Sequence, residues 1–328
     1  VPRVRHAAAL LVAGGLTACG AEQEAPAPSS EATGTYPVTI ENCGAEITFE
    51  SAPERVVLLK SSPVPFLHEL GVMDRVTARA GQYPAEYYDG DTLAALEDIP
   101  LLTDELDSSG HLQISKEVVI SEEPDLVLGE VDNLSRETLA AVGIPLIEEP
   151  ALCEEGDDDP GFDDVDDQLE VYGKVFGREA EAEEAIAELE ADLAEIEAEV
   201  GEPTGRTAAV LYPTIGGGTT YAYGTTSMAH PQLEAAGFEN VFADVDERVF
   251  EVTLEELLGR DPDVLILLHS EGDPADVEDA ITGLPGADEL TAVRNGDLLV
   301  QLFNFTEPPT PLSVEGLERI VERFGPAS

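Results

Sequence analysis

The sequence predicts an α/β protein built of two Rossmann-like βα lobes joined by a single long rigid helix. Three observations predict it. First, two stretches read as near copies of one another, 138 residues apart: Ile114 to Leu128 is ISKEVVISEEPDLVL and Val252 to Ile266 is VTLEELLGRDPDVLI. In each, a Glu (Glu117, Glu255) stands seven residues before a Pro-Asp pair, and an apolar run suited to a buried strand follows. Second, short apolar strand-like segments alternate with helical ones in both halves, the pattern of a mainly parallel sheet covered on both faces. Third, 179–200 carries helical periodicity between the halves, with Ile186, Leu189, Leu193 and Ile196 on one face. At 1.5 Å per residue such a helix spans roughly 30 Å, and unlike a Gly-rich linker it is stiff.

Taken from the start, Arg3 and Arg5 precede a short apolar stretch, His6 to Leu16, too brief to span a bilayer comfortably. Leu16-Thr17-Ala18-Cys19-Gly20 then looks like a bacterial lipobox. Residues 1–18 are expected to be a lipoprotein signal peptide and Cys19 the lipidated residue; an ordinary secretory signal with an incidental Cys is the alternative. Residues 19–35 are rich in Ala, Pro, Ser and Glu without apolar periodicity, and form a flexible tether. The protein is thus expected outside the cytoplasmic membrane, anchored by its lipid.

The first lobe is expected over 36–177. Tyr36 to Asn42 and Ala45 to Phe49 flank Gly44 as a hairpin. Arg55 to Leu59 and Arg75 to Arg79 read as strands, separated by a short helix from Pro63 that Gly71 ends. A helical piece around Thr92 to Glu97 precedes the first copy of the repeat. Helix Ser135 to Val142 and strand Pro145 to Glu149 follow it. Val165, Leu169, Tyr172 and Phe176 share a helical face, and Gly177 breaks that helix from the connector, expected over 178–202. The second lobe, 203–328, resumes with strand Thr207 to Tyr212, a triple-Gly loop, strand Tyr221 to Tyr223 and helix Pro231 to Ala236. Helix Pro274 to Ile281, strand Leu298 to Leu302 and helix Ser313 to Phe324 come after the second copy.

Charge excludes some functions. The chain carries a formal net charge of −53, and loss of residues 1–18 removes two Arg and no acid. Nucleic acid is therefore not a partner. Self-repulsion of this size suits a surface screened by salt, and speaks of environment rather than activity. The three Cys fit an oxidising compartment. With Cys19 lipidated, a Cys43–Cys153 disulfide is expected, two free buried thiols being the alternative.

VTIENCGAEITFESAPERVVLL (38–59), FLHELGVMDRV (66–76), the two EPDLVL-like strands and LEVYGKVFGREAEAEEAI (169–186), in that order and spacing, resemble the ferric-siderophore, haem and vitamin B12 type of periplasmic binding protein. The resemblance runs through most of the chain after the tether. It implies the substrate-binding component of an ABC importer, with a ligand cleft between lobes and no resident cofactor. It also implies that Glu117 and Glu255 dock on a membrane permease dimer, and the protein itself is expected to be a monomer.

Cleft residues are read from the strand ends, since open α/β sheets bind ligands outside the carboxyl ends of their strands. In the first lobe these are Lys60, Arg79, Tyr83, His111 and Asn133. With so few cations in the chain, Lys60 and Arg79 at neighbouring strand ends suggest a partly anionic ligand. In the second lobe Tyr212, Tyr221, Tyr223 and Phe303 offer aromatic faces suited to a bulky organic ligand. An iron–siderophore complex is the expected small-molecule cargo, with haem or cobalamin the alternatives. Only His68, His111, His230 and His269 follow the signal peptide, so no protein-held metal is expected. An extracellular hydrolase is the alternative of another class, with Ser227 and His230 as its only hint; neither a Gly-x-Ser-x-Gly elbow nor an HExxH motif is present.

Overall fold

The computed structural model describes residues 34–325, apart from 108–110, 154–155, 157, 202 and 204. The expected signal peptide, lipidation at Cys19 and tether as far as residue 33 lie outside the described residues.

The chain opens with an antiparallel hairpin, β1 (Val38–Asn42) and β2 (Ala45–Phe49). The first βα layer comprises β3 (Val56–Leu58), α1 (Pro63–Glu69), β4 (Val76–Arg79), α2 (Gly90–Asp98), α3 (Lys116–Ser121), β5 (Leu126–Leu128), α4 (Arg136–Ala140), β6 (Leu146–Ile147) and α5 (Asp163–Phe176). Its sheet is parallel throughout, in the order β4-β3-β5-β6. The three residues of β3 are fully buried, as expected for a strand covered on both faces. The edge Asn42 is buried too. Its Nδ2 donates to the Glu148 carbonyl at 2.8 Å, and its Oδ1 accepts from the Glu148 N–H at 2.9 Å. A disulfide between Cys43 and Cys153, Cα atoms 5.3 Å apart, ties the hairpin to the same edge.

The long helix α6 (Glu179–Val200) follows after Gly177, which ends α5 in a left-handed conformation. Gly173 lets the two helices close: a Cβ there would stand 2.8 Å from the Ala182 Cβ. The N-terminal half of α6 places Ala182, Ala185, Ile186 and Leu189 against the first core. Its C-terminal half places Leu193, Ile196 and Val200 against the second. One helix thus packs on both cores along about 33 Å of its length.

The second layer holds β7 (Thr207–Pro213), β8 (Thr220–Tyr223), α7 (Ala229–Ala235), β9 (Glu239–Asn240), β10 (Val249–Val252), α8 (Leu254–Arg260), β11 (Val264–His269), α9 (Pro274–Thr282), α10 (Thr291–Asn295), β12 (Leu298–Leu302) and α11 (Pro311–Phe324). Its sheet runs β10-β8-β7-β11-β12, with β9 added on the start of β7. Here parallel pairing holds only for β9, β7, β11 and β12; β8 runs antiparallel to both its neighbours. Strand β10, which sequence periodicity does not reveal, is only half covered, with Val249 and Glu251 exposed. Helix α11 begins two residues before the expected Ser313, with Pro311 in its first turn and the Thr310 N–H donating to Ser313 Oγ at 3.1 Å.

The repeat is structural as well as sequential. Ser115 and Thr253 each accept a hydrogen bond from the N–H three residues on, capping α3 and α8. Glu123 and Asp261 both take positive φ, at 52° and 43°, after those helices. Asp125 then accepts the Arg55 N–H at 2.8 Å, and Asp263 the Thr207 N–H at 2.9 Å. Each Pro-Asp pair thereby starts its strand and latches it to the first strand of its own sheet. Glu117 and Glu255 occupy the first turns of these matched helices and are both exposed.

Candidate functional site

Each sheet has a point where strand order reverses, and such points open a crevice at the strand ends. In the first sheet it lies at the end of β3, flanked by β4 and β5, where Lys60 and Ser61 follow. In the second it lies at the end of β7, between β8 and β11, where Tyr212 sits. The loop after β12 meets the loop after β3 directly. Asn304 Nδ2 donates to Ser61 Oγ at 3.0 Å, and the Asn304 N–H donates to the Tyr87 hydroxyl at 2.9 Å. Tyr87 packs edge-on against Phe305, centroids 5.2 Å apart. Gly316 of α11 makes this possible, since a Cβ there would meet the Phe305 carbonyl oxygen at 1.7 Å.

On the first lobe, the cations expected to face the ligand are committed elsewhere. Lys60 Nζ lies 2.5 Å from Glu148 Oε2, a carboxylate buried to 2 % exposure. Arg79 donates from Nε to the Leu96 carbonyl at 3.1 Å and stacks over Tyr83 at 4.9 Å. The Tyr83 hydroxyl is directed to the Ala80 and Lys60 carbonyls, and burial pushes its pKa up. The expectation of a partly anionic ligand, which rested on Lys60 and Arg79, therefore loses its basis: a lysine neutralised by a buried carboxylate offers little to an anion. His111 and Asn133 are both exposed, and His111 Nδ1 stands 2.7 Å from Asp132 Oδ2 rather than free.

On the second lobe, Tyr212 donates to Ser270 Oγ at 3.2 Å and packs edge-on against Phe303 at 6.0 Å, so these two form one aromatic wall. Tyr221 and Tyr223 part company. Tyr221 is exposed, whereas Tyr223 is sealed into the core at 3 % exposure, its pKa raised by burial and by Glu307.

Sequence reasoning missed Tyr87, Tyr88, Arg248 and Glu307. Arg248 Nη1 lies 2.7 Å from Glu307 Oε2; the Arg is a third exposed and the Glu fully buried. Glu307 Oε1 takes the Met228 N–H at 2.8 Å, so the buried acid is satisfied on both oxygens. A signal existed: Glu307 is the only acid in 298–314 of a chain with 69 acidic residues. At the strand ends the structure brings together aromatic rings, hydroxyls and one amide, from Tyr212, Phe303, Tyr88, Ser61 and Asn304. Such a surface can hold a bulky organic ligand by shape and hydrogen bonds. The hydrolase alternative finds no support here. Ser227 is buried and accepts from the Ala229 N–H, while the His230 ring lies toward Glu234, so no Ser–His couple forms. A separate groove of about 530 Å³ lies between α6 and α11, lined by those two helices and by none of the strand-end loops.

Comparison with known proteins agrees with this architecture. Residues 56–300 match the family described as periplasmic binding protein. A solved structure titled ABC-type Fe3+-hydroxamate transport system, from Saccharomonospora viridis, superposes with a TM-score of 0.85 at 60% identity, covering 89% of this chain and 100% of that one. A protein named cobalamin-binding protein from Halobacterium salinarum is 28% identical over 304 residues, 88% of this chain and 74% of its own. A substrate-binding lipoprotein of an ABC transporter in Bacillus subtilis, YvrC, is 23% identical over 98% of this chain and 96% of its own. The family and these neighbours are substrate-binding transport proteins rather than enzymes. With its matched lobes, bridging helix and aromatic strand-end surface, the chain belongs to the periplasmic binding protein family of ABC-type import.

Proposed function

We propose that this protein captures a ferric hydroxamate siderophore between its lobes and delivers it to an ABC permease, on which Glu117 and Glu255 dock. Cys19 carries the lipid that holds it outside the cytoplasmic membrane, and it works as a monomer. The observation that carries the ligand class is the 60% identity, over 89% of this chain, to the protein titled for Fe3+-hydroxamate transport. Charge supports the same class. Three hydroxamates balance the charge of Fe3+, whereas three catecholates leave a large negative surplus. A chain of net charge −53 with Lys60 already paired disfavours the second kind of chelate. Tyr212, Phe303 and Tyr88 suit the organic backbone of the chelate, and Arg248, anchored by Glu307, suits its carbonyl oxygens.

The second reading is cobalamin, favoured by the relative named for it. Native mass spectrometry and calorimetry against ferric hydroxamates, a ferric catecholate, cobalamin and haem decide between them. One-to-one binding of a ferric hydroxamate is expected. Binding of cobalamin or haem alone would overturn the reading.

A further inference from the structure

Beside the strand ends of the first lobe, two separate segments bring three metal-ligating side chains together. Asp107 and His111 come from the loop before α3, and Asp132 from the turn after β5. One donor atom from each lies within 4.8 Å of the others. We propose that Asp107, His111 and Asp132 bind one divalent transition-metal cation of the Zn2+ class, a proposal independent of the cargo reading.

The donor set argues for the class. One imidazole nitrogen with two carboxylates is a mixed N/O set, which suits Zn2+ or its neighbours, whereas Mg2+ and Ca2+ take oxygen donors alone. Donors of a single tetrahedral Zn2+ stand at about 2.1 Å from it and so about 3.4 Å from one another. The three donor atoms lie within 4.8 Å of one another, and rotations of exposed side chains bring them to that spacing. The imidazole matters most, because carboxylates alone abound on this surface.

Hydrogen bonds between described residues link the first two donors. The Asp107 N–H donates to the His111 carbonyl at 2.9 Å, and the His111 N–H returns a bond to Asp107 Oδ1 at 3.1 Å. Gln113 Nε2 donates to Asp107 Oδ2 at 3.2 Å. His111 Nδ1 and Asp132 Oδ2, at 2.7 Å, are the pair that crosses between the segments. All three residues are exposed, so an ion can enter and complete its coordination with water. A bound cation would join the two segments, now linked at the cluster by the His111–Asp132 contact, through metal–ligand bonds from all three side chains.

The alternative is an ordinary His–Asp ion pair amid an acidic surface, and the test separates the two. Calorimetry of the full chain with ZnCl2, with MgCl2 as the oxygen-preferring comparison, should show one saturable Zn2+ equivalent. His111→Ala and Asp132→Asn should each weaken it at least tenfold, while Asp104→Asn, which removes a nearby exposed charge outside the cluster, should leave it unchanged. Weak, multiple Zn2+ binding that is the same in all three variants would mean diffuse attraction to surface carboxylates and would overturn the proposal. Loss of Zn2+ binding with siderophore binding intact, or the reverse, keeps this site separate from the cargo reading.

Discussion

Asn304, at the end of the second sheet, donates its side-chain amide to the hydroxyl of Ser61, at the end of the first, across 3.0 Å. Together with the Asn304 N–H on Tyr87, this is a direct polar latch between the lobes beside the proposed ligand cleft. A neutral hydrogen bond contributes about 1 kcal/mol net, roughly fivefold in an equilibrium. Asn304→Ala should therefore shift the ligand-free protein toward more open states without unfolding it. With no Trp in the chain, Tyr emission reports this: acrylamide should quench the variant more strongly, and ligand should restore the wild-type value. Equal quenching in both proteins would make the contact incidental to closure.

Arg248 and Glu307 are unequal partners. The Glu is fully buried and the Arg a third exposed, so removing the Arg strands a carboxylate inside the second lobe. Losing one partner of a buried pair costs about 3–5 kcal/mol; the exposure of Arg248 lowers this to about 2–3 kcal/mol. Arg248→Ala should destabilise by that amount in urea. Arg248→Ala with Glu307→Gln should recover most of it, because Gln still accepts the Met228 N–H without a charge. If the double variant is no more stable than the single one, the penalty does not come from the stranded charge. Siderophore affinity should fall in both, about tenfold, since both lack the guanidinium.

The repeat was the most legible part of the fold, because the Pro-Asp pairs do one local job in both lobes, and that job leaves a local pattern. Helix α6 was legible for the same reason, its apolar face being continuous even though it packs on two different cores. The cleft was less so. Strand-end position located Lys60 and Arg79, but their partners, Glu148 and the Leu96 carbonyl, come from 88 and 17 residues away and could not be read from spacing. Tyr221 and Tyr223 point to one side of β8 by alternation, yet only Tyr223 is covered, because it joins the core built with α7 and α11. Cys43 and Cys153 were read as partners by elimination, and Asn42 explains why they meet: it stitches the hairpin to the strand edge from which Cys153 departs.

Glu117 and Glu255 sit on helices that are capped and terminated alike, at positions that correspond across the lobes. The double variant Glu117→Ala with Glu255→Ala should abolish import in cells while siderophore affinity stays within twofold of wild type. Each single variant should reduce uptake less than the pair, since one docking point remains. Unimpaired import by the double variant would refute the docking role, and lost affinity would place these residues in the binding site instead.

Glu149 gives the first lobe a pH dependence whose sign can be worked out. Its pKa is raised to about 8, first by burial and then by the neighbouring Glu148 carboxylate, against the Tyr172 hydroxyl bonded to its Oε1 at 3.0 Å and the Lys60 charge. The folded state therefore keeps a proton that the unfolded chain, near the ordinary carboxyl value of 4.5, has already released. Protons bound in excess by the folded state make stability fall as pH rises between those two values. For a buried carboxyl beside another carboxyl, roughly 2–4 kcal/mol of stability is expected to be lost across that range. Glu149→Gln keeps the shape and the acceptor for Tyr172 but cannot ionise. In urea unfolding the variant should be more stable than wild type near pH 9, with the gap closing toward pH 5. Parallel stability curves for the two proteins across that range would show that Glu149 does not hold its proton in the folded state.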